Sequence, residues 1–160
     1  MGADLAMIAS MFKANSQLFR KATQGVPPER WLAQPSEDSN HLLWIAGHLV
    51  VHRAKVPKLL GGEWSAPWQV LFARGTRPVT PEQYPGVDEI ERAWAEVSEK
   101  LSTSLAGATA EVLAKPAPQK SPSFDGSVGG QIAFLCYHEA YHLGQMGFLR
   151  KWLGYGQLVG

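Results

Sequence analysis

Apolar residues recur at spacings of three and four along four long stretches of this chain, and prolines and glycines interrupt the intervals between them, a pattern of helices joined by irregular connections. Met7, Ile8, Met11, Phe12, Leu18 and Phe19 predict a first helix over residues 4 to 24, ended by "GVPPER". The polar "PSEDSN" offers Ser36, Asp38 and Ser39 as cap candidates for a second helix over about 39 to 60, with a kink near Pro57 and the Gly61-Gly62 pair beyond its end. Val87, Ile90, Trp94, Val97, Leu101 and Leu105 form one stripe of a third helix, with Asp88, Glu89 and Glu91 in its first turn, where they suit the helix dipole. A fourth runs from residue 128 to 154, with Arg150 and Lys151 in its last turn. "EWSAPWQVLFARGTRPVTPEQYPG" and "TAEVLAKPAPQKSPSFDGS" hold no lasting period and read as long connections.

The expected fold is therefore all-α, a four-helix bundle over residues 1–160 as a single domain. Its second-to-third and third-to-fourth connections are long enough to cross over. A chain of 160 residues that is 45% hydrophobic can bury one core and is too short for two ordinary domains. With 15 basic and 14 acidic side chains and no run of Lys or Arg, it is not expected to bind nucleic acid. No apolar run approaches the roughly 20 residues that cross a bilayer. Cys136, the single cysteine, has no internal disulfide partner, and the N-terminal stretch is a broken apolar pattern rather than a basic leader, so a reduced, cytoplasmic compartment is expected.

All five histidines fall on core-facing stripes of two helices. At about 100° per residue, His138 and His142 lie about 40° apart and one turn distant, on the stripe of Leu135, Met146 and Leu149. His41, His48 and His52 fall within about 40° of one another beside Ile45. A lone histidine on an apolar face is usually a hydrogen-bonded core residue, but a pair one turn apart on the fourth helix plus one histidine from the second would make a metal site in a bundle core with coordination positions left open. Spacing leaves the third ligand open between His48 and His52.

"HEAYH" also matches the HExxH of zinc peptidases, in which the glutamate activates water. A metzincin needs HExxHxxGxxH, but this chain has Gln145 at the glycine and Phe148 at the third histidine. The residues after His142 offer no Asp, Glu or His for a downstream ligand. The peptidase reading fails on both counts.

"NHLLWIAGHLVVHRAKVPKLLGG", "YPGVDEIERAW" and "HEAYHLGQMGFLRKWLG" together resemble the DinB-like superfamily of four-helix metalloproteins, which includes thiol transferases and thiol-dependent isomerases. The resemblance implies His48, His138 and His142 as metal ligands, choosing His48 over His52. It further implies a divalent metal, zinc or nickel foremost, and frequent homodimers. Where activity is assigned in such proteins, the metal activates a low-molecular-weight thiol that attacks an electrophilic small molecule. The function expected here is a metal-dependent small-molecule enzyme of thiol-transferase or hydrolase type, with a noncatalytic metal- or ligand-binding protein as the alternative. No catalytic residue is assigned. His41, His52, Glu139 and Tyr141 are candidates to stand behind the ligands.

Other residues have plainer readings. Glu139, about 60° around the helix from His142, is placed either at the edge of the site or in solvent, with a structural or ligand-supporting role preferred. Tyr137 and Tyr141 read as packing residues with a wet hydroxyl, Cys136 as inert, and Trp64, Trp68 and Phe72 as core cover. Gly129, Gly130, Gly144 and Gly147 are read as permitting close helix packing.

Overall fold

The computed structural model describes residues 3–76, 79–118 and 122–158; positions 77–78 and 119–121, within the two long connections, lie outside it. Its helices are α1 (Ala3–Thr23), α2 (Leu42–Arg53), α3 (Lys55–Leu59), α4 (Val87–Gly107), α5 (Ala110–Leu113) and α6 (Val128–Trp152). Among the described residues there is no strand, and the fold is all-α.

The second predicted helix is corrected at both ends. It begins at Leu42, not 39, because its cap is His41, whose Nδ1 accepts the Trp44 backbone N–H at 3.0 Å. Ser36 and Ser39 instead bond to each other across a local turn. The helix breaks at Ala54, three residues before the proline. Pro57 has no N–H, and its ring clashes with the carbonyl four residues earlier, at Arg53, so α2 stops there and α3 restarts. The second connection also holds more order than expected: Thr109 accepts the Val112 N–H at 3.3 Å and caps the short α5.

The four long helices touch in ring order, α1 to α6, α6 to α2, α2 to α4 and α4 back to α1. Asn15 bonds to Cys136 and Glu139, and Arg150 reaches the carbonyls of Ala22 and Gln24, so α1 and α6 run parallel. His48 meets His142 while His52 meets His138, so α2 runs antiparallel to α6. Trp44 of α2 and Ile90 share one apolar cluster, while Val56 of α3, just beyond the C-terminal end of α2, shares another with Leu101, so α2 and α4 run the same way. The connection between them therefore crosses back along the molecule, as its length allows.

Two apolar clusters fill the interior. Phe19, Leu49, Trp94 and Met146 belong to the larger; Phe12, Val56, Leu105 and Ile132 belong to the smaller. Between them sits a polar layer centred on Arg53, which is 1% exposed. Its guanidinium donates to Glu139 of α6, Ser98 of α4, and Ser16 and the Phe12 carbonyl of α1, and lies 3.9 Å from the centre of the Trp94 ring. One buried side chain thus fixes the mutual register of all four long helices.

Candidate metal centre

His48, His138 and His142 converge where α2 faces α6. The His138 Nε2 lies 3.4 Å from the Nε2 of His48 and 3.1 Å from that of His142, and all three donor atoms fall within 4.8 Å of one another. Among the described residues no carboxylate or thiol joins this group. Metal–nitrogen bonds of about 2.0–2.1 Å place neighbouring ligand atoms about 3.4 Å apart in a tetrahedral site and about 3.0 Å apart at an octahedral right angle. The two separations from His138 match that span.

The outer nitrogens settle which lone pairs point inward. His48 Nδ1–H donates to the Phe72 carbonyl at 2.7 Å, and His142 Nδ1–H donates to Gln145 Oε1 at 2.7 Å. Both Nε2 atoms are therefore unprotonated acceptors aimed at His138. His138 has one proton to place and a buried Nδ1 with no hydrogen-bond partner. A proton on Nε2 serves only one of two facing lone pairs, and a proton on Nδ1 leaves three lone pairs confronting one another. A cation between them resolves both arrangements, so the residues fit a metal ion.

Burial holds the imidazoles in the neutral form a metal requires. It lowers His48 to about 4 against the raising effect of its bond to Phe72, lowers His138 to about 3 with help from the neighbouring His142 and His48, and also lowers His142.

Local structure explains why the ligand on α2 follows a glycine. A Cβ on Gly47 would lie 2.5 Å from the Phe72 ring. Only glycine lets that ring seat against α2, and the same residue's carbonyl orients His48. Phe72 is fully buried, and Trp68 and Trp64 pack in sequence outside it as core cover.

A scan against family models matches residues 11–146 to the DinB superfamily. The chain belongs to that superfamily. Among curated proteins, none matches it.

The other sequence candidates of this DinB-superfamily chain part company in the structure. His41 is buried but caps α2 edge-on to Tyr84, away from the cluster. His52 does lie beside it, its ring 4.2 Å from that of His48 and 4.4 Å from that of His138, yet both its nitrogens face Lys55 Nζ, at 3.3 and 3.4 Å. Tyr141 is exposed, touches the His142 ring edge-on and accepts from Gln145 Nε2 at 3.3 Å. Glu139 is neither at the edge of the site nor in solvent: it is 1% exposed and bound by Arg53. Burial pushes its carboxyl up, and Arg53 and Asn15 pull it back down. A carboxylate held there cannot activate water at the histidines, which agrees with rejecting the peptidase reading.

Cys136 is buried, and burial pushes its thiol up to about 12, so it is no nucleophile. The helix-packing reading of the α6 glycines is corrected in part. Room at Gly130 is taken by Asp125, and at Gly147 by Leu158, so both admit connecting loops rather than a second helix, while nothing stands within 4 Å of a Cβ at Gly144.

Sequence reasoning missed Arg53, Phe72, Gln145 and Lys55 as parts of this arrangement. The Gly47-His48 pair and the three-residue step from His142 to Gln145 carried signals for two of them. Nothing local marked Arg53 or Lys55.

Proposed function

We propose that His48, His138 and His142 hold a divalent metal ion, zinc or nickel, and that the protein is a metal-dependent small-molecule enzyme of thiol-transferase or hydrolase type. The observation that carries this reading is the meeting of three Nε2 atoms, two of them committed as acceptors by the Phe72 and Gln145 bonds. A divalent ion held by three neutral ligands keeps coordination positions open and lowers the pKa of a thiol or water bound there. The chain's own part is to orient the imidazoles through Phe72 and Gln145, to keep them unprotonated by burial, and to turn Glu139 away to Arg53. A cleft of about 620 Å³, lined by Ile45, Phe148, Asp38 and Asn40 among others, is also bordered by Tyr141 and Gln145, the two residues that touch His142, and offers room for a small molecule.

The ring of α1, α6, α2 and α4 supports a four-helix bundle forming one domain over residues 1–160. No described helix is long and apolar enough to cross a membrane, which suits the cytoplasmic placement proposed with it. Exposed Tyr137, Tyr141, Phe148 and Trp152 along α6 suit a homodimer contact.

The test is metal analysis by mass spectrometry on untagged protein after reconstitution, followed by turnover of electrophiles with a panel of small thiols. About one ion per chain together with thiol-dependent turnover supports the enzyme; an ion without turnover leaves a noncatalytic metal-binding protein; no ion defeats both.

A further inference from the structure

The charges around the three histidines are unbalanced in one direction. Lys55 Nζ rests against the His52 ring, which in turn stacks on His138, so an ammonium stands one imidazole away from the centre. Lys55 itself is exposed to solvent. Among the described residues the ion pairs are Arg53–Glu139 and Lys100–Glu96, and Lys55 takes part in neither. Glu139, the carboxylate adjoining a ligand in sequence, is spent on Arg53. With a divalent ion in place and all three ligands neutral, the ion and the Lys55 ammonium would stand one imidazole apart, and among the described residues no carboxylate joins the three-histidine group to offset them.

The geometry points to Lys55 as the recognition group for an anionic substrate: the molecule that meets the three-histidine centre carries a carboxylate, and the Lys55 ammonium binds it. This rests on the metal reading above and assigns it a substrate class. A flexible, single-point ammonium pairs with a compact anionic group, of which a carboxylate is the simplest. The neutral His52 ring beneath Lys55 gives the ammonium a surface to rest on while leaving its donors free to turn outward.

The experiment uses zinc-loaded protein and two probes of one shape, 3-mercaptopropionate and 3-mercaptopropionamide, with affinities measured by calorimetry. Wild type is expected to prefer the carboxylate by about tenfold, the strength of one charge-assisted hydrogen bond. K55M should reduce that preference to about twofold or less, K55R should restore most of it, and K58M, which removes the same charge from another exposed position of the same helix, should retain it. Zinc content and far-UV circular dichroism of each variant establish that site and fold persist. Equal binding of the two probes by zinc-loaded wild type, or a preference that survives in K55M, overturns the role of Lys55 and leaves the metal reading standing. Failure of wild type to take up zinc, nickel or manganese overturns the metal reading and this inference together.

Discussion

Arg53 holds both carboxylate oxygens of Glu139 at 2.8 Å, with each side chain 1% exposed. The partners lie 86 positions apart, and each adjoins a histidine of the cluster region, His52 on α2 and His138 on α6. The same pair that locks α2 to α6 therefore fixes the distance across which those helices present their imidazoles.

Removing one partner leaves a buried charge without compensation. R53M should lower unfolding stability by about 3–5 kcal/mol, measured by urea denaturation, and E139L by a similar amount. The double variant R53M/E139L should recover a large part of that loss, since no lone charge remains buried. Two single losses that simply add in the double variant would show that the pair is not coupled.

The three Nε2 atoms share one centre, whereas His52 turns its nitrogens to Lys55. H48A, H138A and H142A should each lose the ion after dialysis, while H52A should keep about one per chain. A chelator should lower the melting temperature of wild type, because an ion that binds only the folded state stabilises it, and should leave that of H48A in place. An H52A protein without metal would move the site away from the three-histidine group.

Gly47 and Gln145 act on the ligands from behind. In G47A the new methyl displaces the Phe72 ring and, with it, the carbonyl that orients His48. The expected result is a stability loss of about 1–3 kcal/mol and weaker metal binding. Q145L removes the acceptor of His142 Nδ1–H and should weaken metal binding by about 10- to 100-fold with little change in helix content. Competition with a chromophoric chelator measures both.

His41 makes the start of α2 sensitive to pH. Its Nδ1 must be unprotonated to accept the Trp44 N–H, and burial lowers its pKa from 6.5 to about 4. Below pH 6.5 the unfolded chain takes up a proton that the folded chain resists. The stability this cap contributes is thus full above about pH 6.5 and falls away as the pH drops toward 4. H41N caps without titrating, so it should lose less stability than wild type between pH 7 and 4.5. Parallel urea curves for the two proteins would sink this account.

By itself the sequence determined that this is an all-α chain, where α1, α4 and α6 run, and that its histidines lie on inward stripes of two helices. Helical periodicity is local, and the face a residue occupies follows from its neighbours three and four positions away. The DinB-like resemblance added the preference for His48 over His52. Tertiary structure decided what each inward polar group meets. Whether Glu139 reaches a histidine or an arginine depends on the height at which α2 lies against α6, a register set by side chains from four helices at once. The same holds for the Phe72 carbonyl behind His48, for Lys55 over His52, and for His41, whose apolar neighbours suggested a core position while its ring nitrogen took the cap. Hydrogen bonds and ion pairs act over about 3 Å, and no spacing within one helix reports which distant side chain arrives at that distance.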